Sequence, residues 1–158
     1  MKLLFICTHN RCRSILAEAI TNHVAGHRIT AASAGSSPQG AVHPLSLKYL
    51  QQHQIPIDGL KSQSWGEFEE FNPDAILTLC DSAAQEACPV WFKSTIQVHW
   101  GLQDPSKSEV DELQQQQLFN NTISILERRV KLLLECDFSS LSGTHLSQAL
   151  QDIAQQVC

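Results

Sequence analysis

Lys2-Leu3-Leu4-Phe5-Ile6-Cys7-Thr8-His9-Asn10-Arg11-Cys12-Arg13-Ser14 is the stretch from which the rest of the chain is read. Lys2 to Cys7 reads as a strand whose apolar positions are continuous, as expected when both faces of a sheet are covered. A helix is expected from Arg13 to Val24, with Ile15, Leu16, Ala19, Ile20 and Val24 along one side. Between them, Cys7, five residues and then Arg13-Ser14 make an anion cradle. Backbone N–H groups of the loop and the positive end of the helix converge on one tetrahedral oxyanion. Arg13 can grip two of its oxygens, and the same donors favour a thiolate at Cys7. Asn10 is placed to hold the loop, and Ser14 to donate to the sulfur. Thr8, His9, Arg11 and Cys12 complete the loop; His9 and Arg11 are expected at its rim.

The same logic extends outward. Strands are expected at Ile29 to Ala34, Ala75 to Leu79 and Thr95 to His99, and a short helix at Trp65 to Phe71. Pro44 suits a helix first turn. Val110 to Cys136 contains a long helical pattern, with its best stripe at Leu126, Val130, Leu133 and Leu134. After a linker at Ser139 to Gly143, Leu146, Leu150, Ile153 and Val157 mark one face of a final helix. Strands alternating with helices predict an α/β, doubly wound, four-stranded parallel sheet with helices on both faces. The 158 residues are read as one domain. In such sheets ligands sit beyond the C-terminal strand ends, where Cys7, Cys80 and the stretch after His99 all fall.

Two further features therefore belong with the cradle. In His99-Trp100-Gly101-Leu102-Gln103-Asp104-Pro105, Asp104 is the best candidate for the acid that protonates a departing oxygen, and Pro105 stiffens its loop. In Cys80-Asp81-Ser82-Ala83-Ala84-Gln85-Glu86-Ala87-Cys88-Pro89, seven residues separate two cysteines. That spacing fits neither a thioredoxin-like motif nor, without a matching pair, zinc. A disulfide there requires the segment to bend, since the two Cα atoms must lie within about 7 Å. Two buried structural cysteines remain an equal reading.

Composition sets limits. Net charge is −5, so there is no basic footprint for nucleic acid, and no segment reaches the length of a membrane span. The N-terminal apolar run is too short for a signal peptide, and a cytoplasmic location is expected. In that compartment six cysteines are read as catalytic, metal-binding or incidental.

Together the residues resemble the low-molecular-weight protein tyrosine phosphatase superfamily, and more closely its arsenate reductase branch. The resemblance is carried by Ile6-Cys7-Thr8, Asn10, Cys12-Arg13-Ser14, Ala17-Glu18, Ser33-Ala34-Gly35, Thr78-Leu79-Cys80, Cys88-Pro89, His99-Trp100-Gly101 and Asp104-Pro105. It covers residues 2 to about 135 and leaves the final helix, 144–158, outside. It implies that Cys7 attacks arsenate held by the loop and Arg13 while Asp104 protonates the leaving oxygen. Cys80 then attacks Cys7, arsenite departs, and Cys88 takes over the disulfide from Cys7. Thioredoxin, or glutathione with glutaredoxin, is the implied reductant; electrons come from thiols, and no metal or nucleotide is required. Some relatives bind potassium near the cradle. Asn10, Glu18 and Ser33 match its ligands, while Ser62 and Ser64 stand where Thr and Asp are expected. The phosphatases place tyrosines after Asp-Pro; here Ser106 and Lys107 follow, and Tyr49 is the one tyrosine. Arsenate and phosphate share charge and shape, so phosphotyrosine hydrolysis through a phosphocysteine is the second expectation. A non-catalytic oxyanion or redox sensor is the third. Cys12 is either a packing residue or, by the resemblance, a protective disulfide partner for Cys7. Cys136 and Cys158 receive no role.

Overall fold

A computed structural model describes residues 1–86, 88–107, 109–137 and 140–157. Cys158 and part of the expected linker lie outside the described residues. Strands β1 (Lys2–Ile6), β2 (Thr30–Ala34), β3 (Ala75–Thr78) and β4 (Ile96–His99) form one parallel sheet in the order β2-β1-β3-β4. The register places Ala34, Ile6, Thr78 and His99 in a row across the sheet. The segments that follow these four residues all leave from the same edge, as the sequence predicts.

The continuous apolar run of β1 is explained by its two faces. Leu3 and Phe5 enter the larger core cluster with Leu16, Ile20, Phe119 and Leu126. Those partners come from α1 (Arg13–Ala25) and α4 (Glu112–Glu135). Leu4 and Ile6 enter a smaller cluster with Ala83 and Phe92. The second face is covered more thinly, by α3 (Asp81–Gln85) and a 3-10 turn at Val90–Ser94, with Trp65 packed alongside. Burying each of these large side chains contributes roughly 1.5–3 kcal/mol.

Several elements depart from expectation. Trp65 to Phe71 is not a helix: only Trp65–Glu67 forms a 3-10 turn, opened by a capping box between Ser64 and Glu67. The chain then turns through Asn72 at φ 48, a left-handed conformation that asparagine tolerates, ahead of Pro73. The long helix lies inside its expected span and starts at Glu112, where Asp111 caps it by accepting from the Gln114 amide at 2.9 Å. Its buried stripe runs back from Leu133 through Val130 and Leu126 to Ile123 and Phe119, and Leu134 is half-buried. Helix α2 (Pro44–Gln52) starts at the proline as expected.

The final helix, α5 (Gly143–Gln156), docks on this core through Leu146, Leu150 and Ile153, and Val157 beyond it is also buried. It covers Trp100, whose Nε1 donates to the Leu150 carbonyl at 2.8 Å. Arg129, 3% exposed, donates to the Trp100 carbonyl at 2.8 Å and twice to the Val157 carbonyl, at 3.1 and 2.9 Å. A buried guanidinium thus ties the C-terminal end of α5 to the residue that opens the Asp104 loop. Among the described residues no helix is long and apolar enough to cross a membrane.

Candidate active site

The cradle begins where β1 ends. Cys7 is buried, with its sulfur 2.9 Å from Ser14 Oγ. Asn10, at φ 45, turns the loop and is fully buried. Its amide nitrogen donates to Ser14 Oγ and to Ser33 Oγ, both at 2.9 Å, and its oxygen accepts from the Gln63 amide at 2.8 Å. Because Ser14 Oγ accepts from Asn10, its own proton is free to point at Cys7. Gly35, after β2, packs against the loop: a Cβ there would come within 2.6 Å of the Thr8 carbonyl oxygen and 2.8 Å of that of Cys7. Only glycine allows that approach.

Arg13 opens α1 and crosses the cradle. Its Nη2 lies 3.1 Å from Asp104 Oδ2, and its Nη1 donates to the Leu102 carbonyl at 3.0 Å. Its Nε is buried and has no hydrogen-bond partner among the described residues. Ser106 fixes the acid from the other side, with its amide 3.0 Å and its hydroxyl 2.6 Å from Asp104 Oδ1. Burial opposes ionisation of Asp104, but the Ser106 hydroxyl and then the Arg13 charge outweigh it and hold the carboxyl below its usual range. Asp104 therefore stabilises the fold above the unfolded carboxyl pKa, about 3.9, and loses that contribution as pH falls through the lower folded value. The stability gap between wild type and Asp104→Asn is expected to be constant above about pH 5 and to close below about pH 4. Urea denaturation at stepped pH measures it, and a gap that widens toward acid contradicts it.

A cavity of about 220 Å³ opens over the cradle. Cys7, Thr8, His9, Arg11, Cys12, Arg13, Cys80 and Asp104 all line it, together with His43, Ser82, Ser106 and Lys107. Cys80 is buried; its sulfur accepts from the Ala83 amide at 3.4 Å and lies 3.6 Å from Thr8 Oγ1. Cys88 does not line the cavity. Its thiol is half-buried, 3.5 Å from the Glu86 carbonyl and 3.9 Å from Gln97 Oε1. Burial, and then the Glu86 charge, push that thiol up. Cys12 is pushed up to about 12, chiefly by burial, and so stays a thiol at neutral pH. Cys136 is raised by burial and then by Glu135.

Two histidines hold positions to which the sequence assigned no role. His43 caps α2, accepting from the Leu45 amide at 3.2 Å, and burial followed by the Arg11 charge lowers its pKa. The Pro44 signal marked this helix start, but nothing local placed it beside the cradle. The His99 ring bridges Thr78 Oγ1 at 3.0 Å and Asp81 Oδ1 at 3.1 Å, on either side of Cys80. Gly101 leaves room for that ring, since a Cβ there would come within 2.6 Å of Nε2. The potassium set fits poorly. Ser33 donates to Glu18 at 2.6 Å, Ser62 donates to the His9 carbonyl and Ser64 accepts from the Gly66 amide. Burial raises the Glu18 carboxyl, while Lys61 already supplies positive charge to it.

Fold and site define a class of α/β proteins in which a cysteine at a strand end underlies an oxyanion cradle, faced by an aspartate from a later loop. The model of the low molecular weight phosphotyrosine protein phosphatase family matches residues 2–148, and the chain belongs to that family. An arsenate reductase of Halalkalibacterium halodurans is 30% identical over 133 residues, 84% of this chain and 94% of that protein. A solved arsenate reductase in the phosphate binding state superposes with a TM-score of 0.69 at 26% identity, covering 84% of this chain and 95% of its own. The thioredoxin-dependent arsenate reductase of Corynebacterium glutamicum has a TM-score of 0.64 at 25% identity, covering 85% of this chain and 60% of its own.

Proposed function

We propose that the chain is a cytoplasmic arsenate reductase that works by a three-cysteine relay. The observation that carries this reading is Cys80 beside Thr8 in the cavity that also holds Cys7, Arg13 and Asp104. The Cys7 thiolate attacks arsenate bound by the loop amides and Arg13. Arrival of the oxyanion draws Arg13 away from Asp104, which raises the carboxyl toward protonation and equips it to protonate the leaving oxygen. The sulfur of Cys80 then attacks that of Cys7. The S–As bond breaks with its electron pair on arsenic, which leaves as arsenite, and a Cys7–Cys80 disulfide remains. Cys88 attacks Cys80, freeing Cys7, and a dithiol protein such as thioredoxin, or glutathione with glutaredoxin, reduces the Cys80–Cys88 bond.

Peptide mapping by mass spectrometry after one arsenate turnover is the test. A Cys80–Cys88 link with Cys7 free is expected; arsenite formed with Cys80 and Cys88 unlinked overturns the relay. Phosphomonoester hydrolysis is the second reading, favoured by the family's cradle and acid. Against a phosphotyrosine clamp, Tyr49 is buried and stacked on Phe119 at 4.5 Å, and Ser106 is committed to Asp104.

A further inference from the structure

The chain from Cys80 to Glu86 is pinned near both ends. At its start the His99 ring holds Thr78 and Asp81. Near its end the Glu86 carboxylate reaches back to the oxyanion loop, where its Oε1 accepts from Thr8 Oγ1 at 3.0 Å. The other oxygen, Oε2, is buried and has no hydrogen-bond partner among the described residues. Glu86 is thus a half-buried carboxylate attached to the cradle by one hydrogen bond. Between the pins the chain is helical over Asp81–Gln85, and it leaves Cys88 outside the cavity that Cys80 lines. For Cys88 to bond to Cys80, its thiol must give up the Glu86 carbonyl and Gln97 Oε1.

An anion in the cradle would place a second negative charge next to Thr8. In a poorly solvated site two like charges that close repel strongly, and Glu86 has the weaker hold. We propose that Glu86 is a positioning residue, a clasp that fastens the relay segment to an empty cradle and is expelled when an oxyanion occupies it. Cys88 is then released only when there is an adduct to resolve. This rests on the relay reading above and adds to it the trigger for the segment's movement. Departure of Glu86 also takes away one of the two influences that keep Cys88 protonated. Coupling of this kind is reciprocal: the clasp weakens anion binding by the same factor by which the anion loosens the clasp.

Inorganic phosphate serves as the probe. The alkylation rate of Cys88 by iodoacetamide is followed by peptide mass spectrometry, with and without saturating phosphate, in wild type and Glu86→Gln. Phosphate affinity is measured on both by calorimetry. Phosphate is expected to speed Cys88 alkylation in wild type by about five-fold or more. Glu86→Gln should start fast, respond to phosphate by less than about two-fold, and bind phosphate about five-fold or more tightly. The sign is diagnostic. Added negative charge acting through space alone would slow Cys88 by disfavouring its thiolate, so acceleration reports release. A Cys88 rate that phosphate leaves unchanged or slows, or equal phosphate affinities in the two proteins, overturns the clasp. Neither readout needs arsenate or a reductant, so failure of the relay in the disulfide mapping is distinguishable from failure here.

Discussion

Arg13→Ala is expected to lower kcat with arsenate by roughly 100- to 1,000-fold, the loss typical of removing one preorganised oxyanion donor. The guanidinium is already aimed. Its Nη1 is held by the Leu102 carbonyl, its Nη2 by Asp104, and its Nε is buried without a partner among the described residues. An arriving oxyanion can satisfy Nε and compete for Nη2, a two-point grip along one edge of the fork. Lysine offers a single charged point and cannot hold the Leu102 carbonyl and the oxyanion together, so Arg13→Lys should recover less than a tenth of the lost rate. The substitution also takes away the charge that helps hold the Asp104 carboxyl low, so the acid should titrate at higher pH in Arg13→Ala. Steady-state kinetics across pH reads both effects. A loss of less than about ten-fold would mean that the loop amides alone bind the anion in the transition state.

Cys88→Ser is expected to turn a multiple-turnover enzyme into one that releases about one arsenite per chain and stops, with the Cys7–Cys80 disulfide trapped. Cys80 sits in the cavity with Cys7, so in the proposed relay arsenite release needs no help from Cys88. In the proposed relay regeneration does need it, because Cys80 is buried where a protein reductant has poor access, whereas Cys88 is only half-buried. The serine variant keeps size and polarity but cannot form the second disulfide. A rapid-quench burst of arsenite with no steady phase, in the presence of thioredoxin, its reductase and NADPH, is the expected record. Sustained turnover at the wild-type rate would remove Cys88 from the mechanism and favour reduction directly at Cys7 or Cys80.

Much of this architecture was legible in local patterns. The unbroken apolar run of β1 signalled a strand covered on both faces, and Leu3 and Phe5 do part from Leu4 and Ile6 into separate clusters. The spacing from Cys7 to Ser14 signalled a cradle because loop, helix start and nucleophile are close in sequence. The Trp65 to Phe71 helix was misread because aromatic residues at helical spacing here pack as separate turns beneath the sheet, ended ahead of Pro73. His99 and His43 went unassigned because each acts through residues remote in sequence. His99 contacts Asp81, 18 positions away, and His43 meets the cradle only in the folded chain.

By itself, then, the sequence determined the sheet class, the cradle and the set of candidate cysteines, since each rests on periodicity or short spacing that the backbone converts directly into geometry. Tertiary structure alone decided which of those groups meet. Arg13 and Asp104 are 91 residues apart, and Thr8 and Glu86 are 78 apart. They touch because parallel pairing aligns Ala34, Ile6, Thr78 and His99 in one row and launches every following loop from the same edge. Register is a property of four strands at once. The bond from Glu86 to Thr8, and with it the link between a filled cradle and a freed Cys88, has no local signature.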